Sequence, residues 1–195
     1  MNMVAPRRRQ FLPEPQPYRW TREEFQRLGD LGWFEGRRAI FIHGDIIEEG
    51  PMNPLHATGI TDVTRMLFRR FGDEFVIRVQ APLNVGTDND PLPDFAIIRG
   101  LSADYVERHP DRADWVIEVA DSSLKFDLSV KAKLYATASI PEYWVLDVLN
   151  RQLHVLHSPN DEGYADISIL ESNGRLGPLL APDSIVSVAE LLPIT

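Results

Sequence analysis

The sequence predicts a protein of the α/β or α+β class, built on a mixed β-sheet. Three observations carry that expectation. Apolar residues recur at helical spacing in two long stretches. Between and after them lie short runs of strand character, some wholly apolar and some alternating. The elements also follow one another in mixed order, helix, strands, helix, strands, which fits neither a pure bundle nor a pure sandwich. The length of 195 residues suits one domain, for which about 100–200 residues is usual. Residues 1–20 read as an extended arm, and 21–195 as a single domain.

The arm is rich in proline and arginine, with Pro6, Pro13, Pro15, Pro17 and the run Arg7–Arg9. Thr21 then precedes Glu23 and Glu24, an N-cap followed by acidic first-turn residues, so a helix should run to about Leu28 and stop at Gly29. Ala39–Ile42 and Ile46–Glu48 flank His43-Gly44-Asp45, a hairpin signature in which glycine supplies the positive φ. A helix is expected from His56 to Phe71, where Ile60, Val63, Leu67 and Phe71 share a face and Gly72 closes the pattern. Strands follow at Glu74–Val79, Ala81–Val85, Asp94–Ile98 and Trp115–Ala120. A second helix covers Ser123 to about Ala138. Strands at Glu142–Val148, Gln152–His157 and Tyr164–Leu170, with a short helix at Val186–Leu192, finish the chain.

Composition excludes several classes. There is no cysteine, hence no disulfide framework and no thiolate zinc site. No apolar run approaches the roughly 20 residues of a spanning helix. Met1 to Gln10 carries arginines without an apolar stretch behind them, unlike a secretory leader. A cytoplasmic protein is the expectation. The formal charge of -9 argues against a broad, nonspecific nucleic-acid binder, which would show a basic footprint. The five histidines have no HxxxH or HxH spacing, and neither GxSxG nor GxxxxGK[ST] occurs.

Three residues are chemically expensive. Glu118 interrupts the apolar strand Trp115–Ala120, where an ionised carboxylate loses several kcal/mol of solvation unless paired. Either it lies on an exposed face or edge, or it faces a cleft and holds a cation. Asp94 opens the strand Phe95–Ile98 after Pro91-Leu92-Pro93. Aspartate commonly begins strands and turns, but with Glu118 it forms a pair of hard oxygen donors suited to Mg²⁺. Lys131 follows Asp127 by four residues. It is either an ordinary i,i+4 ion pair or a cation that orients water and offsets negative charge near the carboxylates. Lys125 and Lys133 compete for that role. At about 100° per residue, Lys133 lies some 200° from Lys131, whereas Asp127 lies about 40° away. Lys131 is therefore the lysine expected to point inward with Asp127. His56 is a weaker candidate, since a lone histidine at a helix start is usually a cap or packing residue.

The segments Thr21-Arg-Glu-Glu-Phe, His43-Gly-Asp-Ile-Ile-Glu, Pro93-Asp94, Val116-Ile-Glu-Val-Ala-Asp-Ser-Ser123, Asp127 to Lys131 and Ala138-Ser-Ile-Pro-Glu-Tyr-Trp144 together resemble the Uma-type putative restriction endonuclease family. This family has the PD-(D/E)xK nuclease fold. The resemblance implies a restriction-endonuclease-like mixed sheet flanked by helices and a divalent metal, Mg²⁺ or Mn²⁺, bound by Asp94 and Glu118. In the usual nuclease motif the lysine lies two residues after the glutamate, where this sequence has Ala120. The resemblance places it on the following helix instead, at Lys131. A second departure falls in the first hairpin strand, where family members carry a glutamate and this sequence has Ile40.

Two functions are compatible with these residues. One is a Mg²⁺-dependent endonuclease, a hydrolase acting on DNA, with Asp94, Glu118 and Lys131 catalytic. A homodimer would suit cutting of two strands. The other is a non-catalytic protein-interaction module on the same fold. For the first, Arg65, Arg69, Arg70, Arg78 and Arg7–Arg9 are candidate phosphate contacts, and arginines of the His56–Phe71 helix should rim the cleft.

Overall fold

The computed structural model describes residues 15–194. The run Arg7–Arg9 and most of the expected arm lie outside them; residues 15–20 are neither helix nor strand, and Trp20 N–H donates to the carbonyl of Gly44 at 2.9 Å. Helix α1 (Arg22–Asp30) starts on a reciprocal capping box, in which Thr21 Oγ1 accepts from Glu24 N and the Glu24 carboxylate accepts from Thr21 N. Strands β1 (Arg38–Ile42) and β2 (Asp45–Glu49) form the hairpin. Its two-residue loop has positive φ at both His43 (52°) and Gly44 (77°), the combination whose twist matches the strands.

Helix α2 (Pro54–Phe71) begins two residues earlier than the apolar pattern suggests. Asn53 caps it by accepting from His56 N, and Pro54 occupies the first turn, where no N–H is needed. Next come β3 (Val76–Val79), the two-residue β4 (Asn89–Asp90), β5 (Phe95–Ile98) and β6 (Trp115–Ala120). The helix after β6 is composite. Leu124–Phe126 (α3) leads into a π turn, Asp127–Lys131, and then Ala132–Thr137 (α4). The chain closes with β7 (Glu142–Asp147), β8 (Gln152–Asn160), β9 (Gly163–Glu171), β10 (Arg175–Leu176), β11 (Val186–Ser187) and α5 (Val188–Leu191).

Six strands make the central sheet in the order β3-β5-β6-β7-β8-β9, parallel only between β6 and β7. It is a mixed sheet flanked by helices. The hairpin pairs with β4 in a smaller sheet of order β2-β1-β4. One face of the central sheet packs against α3, the π turn, α4 and the hairpin, through residues such as Val116, Val145, Tyr135 and Ile40. The other face packs against α2 and α5 around Trp115 and Trp144, whose rings meet edge to face at 4.4 Å.

Two expected elements are corrected. Ala81–Val85 is not a strand. Pro82 removes a ladder donor, and the neighbouring N–H groups go elsewhere, Leu83 to Pro91 O and Asn84 to Pro110 O. Leu83 and Val85 are buried at alternate positions, so an irregular connection mimics a strand's period of two. At the C-terminus the expected helix is shorter, because Val186 and Ser187 pair with Leu176 and Arg175 before a single helical turn.

Candidate active site

Asp94 and Glu118 lie side by side on neighbouring strands. The β5–β6 ladder ends at the pair Phe95–Ile117. One step further the Asp94 side chain takes over as acceptor, its Oδ2 receiving Val119 N–H at 2.9 Å. Asp94 N–H in turn donates to Glu118 Oε2 at 3.3 Å. Strand alternation puts both carboxylates on the face that carries Ala96 and Val116. They line one cavity of about 360 Å³, together with His56, Glu49, Arg38 and Lys131.

Lys131 Nζ stands 3.1 Å from Glu118 Oε2 and 3.3 Å from both Asp127 Oδ1 and Glu49 Oε1. Lys125 and Lys133, by contrast, are exposed. The π turn carries both Asp127 and Lys131 with their side chains buried. An extra residue in a helix shifts the register of the turns downstream of it. Here Leu124 and Leu128, before or within the π turn, and Leu134 and Tyr135, after it, all still pack on the same apolar layer. Tyr135, one turn beyond Lys131, donates its hydroxyl to Glu118 Oε1 at 2.9 Å.

His56 reaches Asp94 from α2, Nε2 to Oδ1 at 3.5 Å. Close packing makes this possible. A Cβ on Gly59 would come within 2.7 Å of Val119 Cγ1, so glycine lets the first turns of α2 settle onto β6.

Burial and charge act against one another here. Burial pushes the Glu118 carboxyl well above the ordinary range. Lys131 opposes that push, while Asp94, Asp127 and Glu49 add to it. Burial raises Asp127 as well, against the pull of Lys131 and Ser123. For Asp94 burial is also the largest influence, but the His56 contact and the Val119 amide outweigh it and lower the carboxyl. Burial would lower the Lys131 ammonium, yet Glu118, Asp127 and Glu49 together raise it. Asp94 holds His56 above its ordinary value.

Four carboxylates thus surround one lysine and one histidine. Asp127 Oδ1 is buried with no hydrogen-bond donor and only its ion pair to Lys131. Asp127 lies behind the cavity wall, while Asp94, Glu118 and Glu49 line it, and these hard oxygen donors fit a divalent cation held by one or two carboxylates, with other ligands from water and substrate. Among the described residues, no three histidine, aspartate or glutamate side chains form a ready-made metal cage.

Sequence reasoning left two parts of this cluster out, Glu49 and Tyr135, and ranked a third, His56, as a weaker candidate. The hairpin does bring an acid to the cavity, Glu49 on β2, while Ile40 on β1 is buried in the apolar core. Period-two alternation from the inward Ile47 would have found Glu49. Tyr135 was legible as the residue four after Lys131. His56 carried no signal beyond its type. The expected arginine rim from α2 is absent. Arg65 and Arg70 sit towards the far end of the helix, paired with Asp62 and Glu190, and among the described residues Arg38 is the one arginine that lines the cavity.

A profile of the Uma2 family, described as a putative restriction endonuclease, matches residues 22–189. A crystal structure of a putative nuclease belonging to DUF820 from Anabaena variabilis ATCC 29413 is similar in fold. Its TM-score is 0.62 at 14% identity, covering 78% of this chain and 88% of that one. No curated protein matches. Among the described residues, no helix is long and apolar enough to cross a membrane.

Proposed function

The chain belongs to the Uma2 family of putative restriction endonucleases, and from that premise we propose that it is a divalent-metal-dependent endonuclease hydrolysing phosphodiester bonds of DNA. The observation that carries the reading is the convergence of Asp94, Glu118 and Lys131 on one cavity with more carboxylates than cations. Asp94 and Glu118 would hold Mg²⁺ or Mn²⁺. A bound ion of this kind polarises the phosphate and makes a water molecule acidic enough to attack.

The chain's own residues supply the rest. Asp94 is fixed by Val119 N–H and His56, and Glu118 by Tyr135, so neither carboxylate has to be ordered when substrate arrives. Lys131 is held as a cation by its three acids, which makes it an electrostatic group and not a proton acceptor. Its ammonium orients the attacking water and offsets charge on the phosphate oxygens. Glu49, salt-bridged to Arg38 and Lys131 at once, supplies an acid from the hairpin to the cavity although Ile40 cannot.

Plasmid DNA incubated with Mg²⁺ or Mn²⁺ tests the reading. Nicked or linear product is expected from the wild type and none from Asp94→Ala. Equal cleavage by both proteins, or none by the wild type in any divalent metal, would overturn it.

A further inference from the structure

We propose that this cavity accepts one unpaired strand at a time, so that the substrate class is single-stranded or locally unpaired DNA in preference to flush duplex. The inference rests on the nuclease reading above and adds the form of the nucleic acid to it.

Depth is the first consideration. Glu118, Asp94 and Lys131 are only 2%, 3% and 4% exposed. A scissile phosphate must therefore enter the cavity to meet them. At about 360 Å³, that space is at the low end of the roughly 300–1,000 Å³ typical of small-ligand sites. It admits a nucleotide-sized group, whereas the major groove alone of a duplex is about 12 Å wide.

Charge is the second. Duplex affinity grows with the number of phosphates that lysine and arginine neutralise. Among the described residues, the cavity wall offers Arg38, Lys131 and His56, each already engaged with a carboxylate. Its outer wall carries Glu48 and Asp121, within a Debye length of about 8 Å of anything seated there. A complementary strand held beside the first would bring its phosphates against these acids, where the guanidinium of Arg37 is already paired with Glu48 at 3.6 Å.

The apolar part of the wall is the third. Pro51 and Met52, in the loop between β2 and α2, face the same cavity as Phe126, whose ring centroid lies 5.9 Å from Lys131 Nζ. Met52 is 42% exposed. In a duplex the base faces are stacked on one another and cannot use such a surface. An unpaired base beside the scissile phosphate can lie on it, as bases do on the stacking platforms of single-strand binders.

The experiment uses one labelled oligonucleotide sequence in three forms: single strand, flush duplex and a duplex with a central unpaired bubble. Cleavage in Mg²⁺ or Mn²⁺ and binding in EDTA, by fluorescence anisotropy, are measured for the wild type and for Met52→Ala. Single strand and bubble should be cut at least tenfold faster than flush duplex and bound more tightly. Met52→Ala should weaken single-strand binding several-fold with no change in melting temperature. Equal or faster cutting of flush duplex overturns the inference while leaving the nuclease reading intact. Failure to cut any form overturns the nuclease reading. In that case, equal or weaker binding of the single strand overturns the strand preference as well, and unchanged binding by Met52→Ala removes the proposed base contact.

Discussion

Two glutamates sit on adjacent strands of the central sheet, both essentially without solvent exposure, and the protein treats them in opposite ways. Glu142, at the start of β7, receives Trp144 Nε1 at 2.8 Å, His157 Nε2 at 2.9 Å and the Leu179 amide at 2.6 Å. Burial raises the Glu142 carboxyl, these three contacts all pull it down, and no other carboxylate crowds it. The same contacts tie β7, β8 and the segment before β11 together. Glu118, on β6, receives Tyr135, the Asp94 amide and Lys131, but three further carboxylates crowd the same space. The first acid is complete within the fold. The second is left with unmet demand for positive charge, and it is the second that lines the cavity. Burial of a charge alone therefore does not mark a candidate functional site; an unbalanced set of neighbours on a cavity is the stronger sign.

The sharpest way to break this contrast is a pair of substitutions. Glu118→Gln should lower the cleavage rate by roughly a hundredfold or more and abolish the thermal shift produced by Mg²⁺. Glu142→Gln should leave cleavage per folded molecule and the metal shift within a factor of two. Similar loss of activity in both variants would show that the two acids are not functionally distinct.

Lys131→Met comes next, because removing one partner of a buried ion pair typically costs about 3–5 kcal/mol. Thermal denaturation should show a large drop in midpoint, and added Mg²⁺ should recover more of it than it adds to the wild type. No drop would mean that the surrounding carboxylates take up protons at little cost.

Stability against pH sharpens the contrast further. The folded Glu118 carboxyl titrates well above its ordinary value of 4.5. The stability linked to its proton is fully present below about 4.5 and is lost as pH rises through the raised folded value. Metal-free wild type should therefore weaken as pH rises above the ordinary carboxylate range, and Glu118→Gln should flatten that slope. Asp94 works in the opposite sense. Its lowered carboxyl contributes above its ordinary 3.8 and loses that contribution as pH falls through the folded value. Chemical denaturation across pH, in EDTA, separates the two.

The smallest effect concerns a residue outside both clusters. Gly59→Ala overpacks the contact between α2 and Val119 and should cost about 1–3 kcal/mol. It should also reduce activity by moving His56 away from Asp94, whereas Thr21→Ala, which removes a cap worth about 1 kcal/mol, should leave activity unchanged.

Much of this architecture is local and was legible in the sequence. The N-cap at Thr21, the His43-Gly44 turn and the helical stripe of α2 depend on neighbours within a few residues, and the structure has all three. The acidic interruption at Glu118 was visible because an all-apolar strand makes any charge conspicuous. Glu142 lies in an equally apolar run, Glu142–Asp147, and nothing local separates it from Glu118. Its Trp144 partner is two residues away, but its other donors come from 15 and 37 residues further on. The Glu49 contact to Lys131, the reach of His56 to Asp94 and the irregular course of Ala81–Val85 likewise depend on which segments the fold brings together. Sequence periodicity fixes which face a side chain takes on its own element. The group standing opposite that face is set by long-range packing, and for a buried charge that neighbour decides both its pKa and its role.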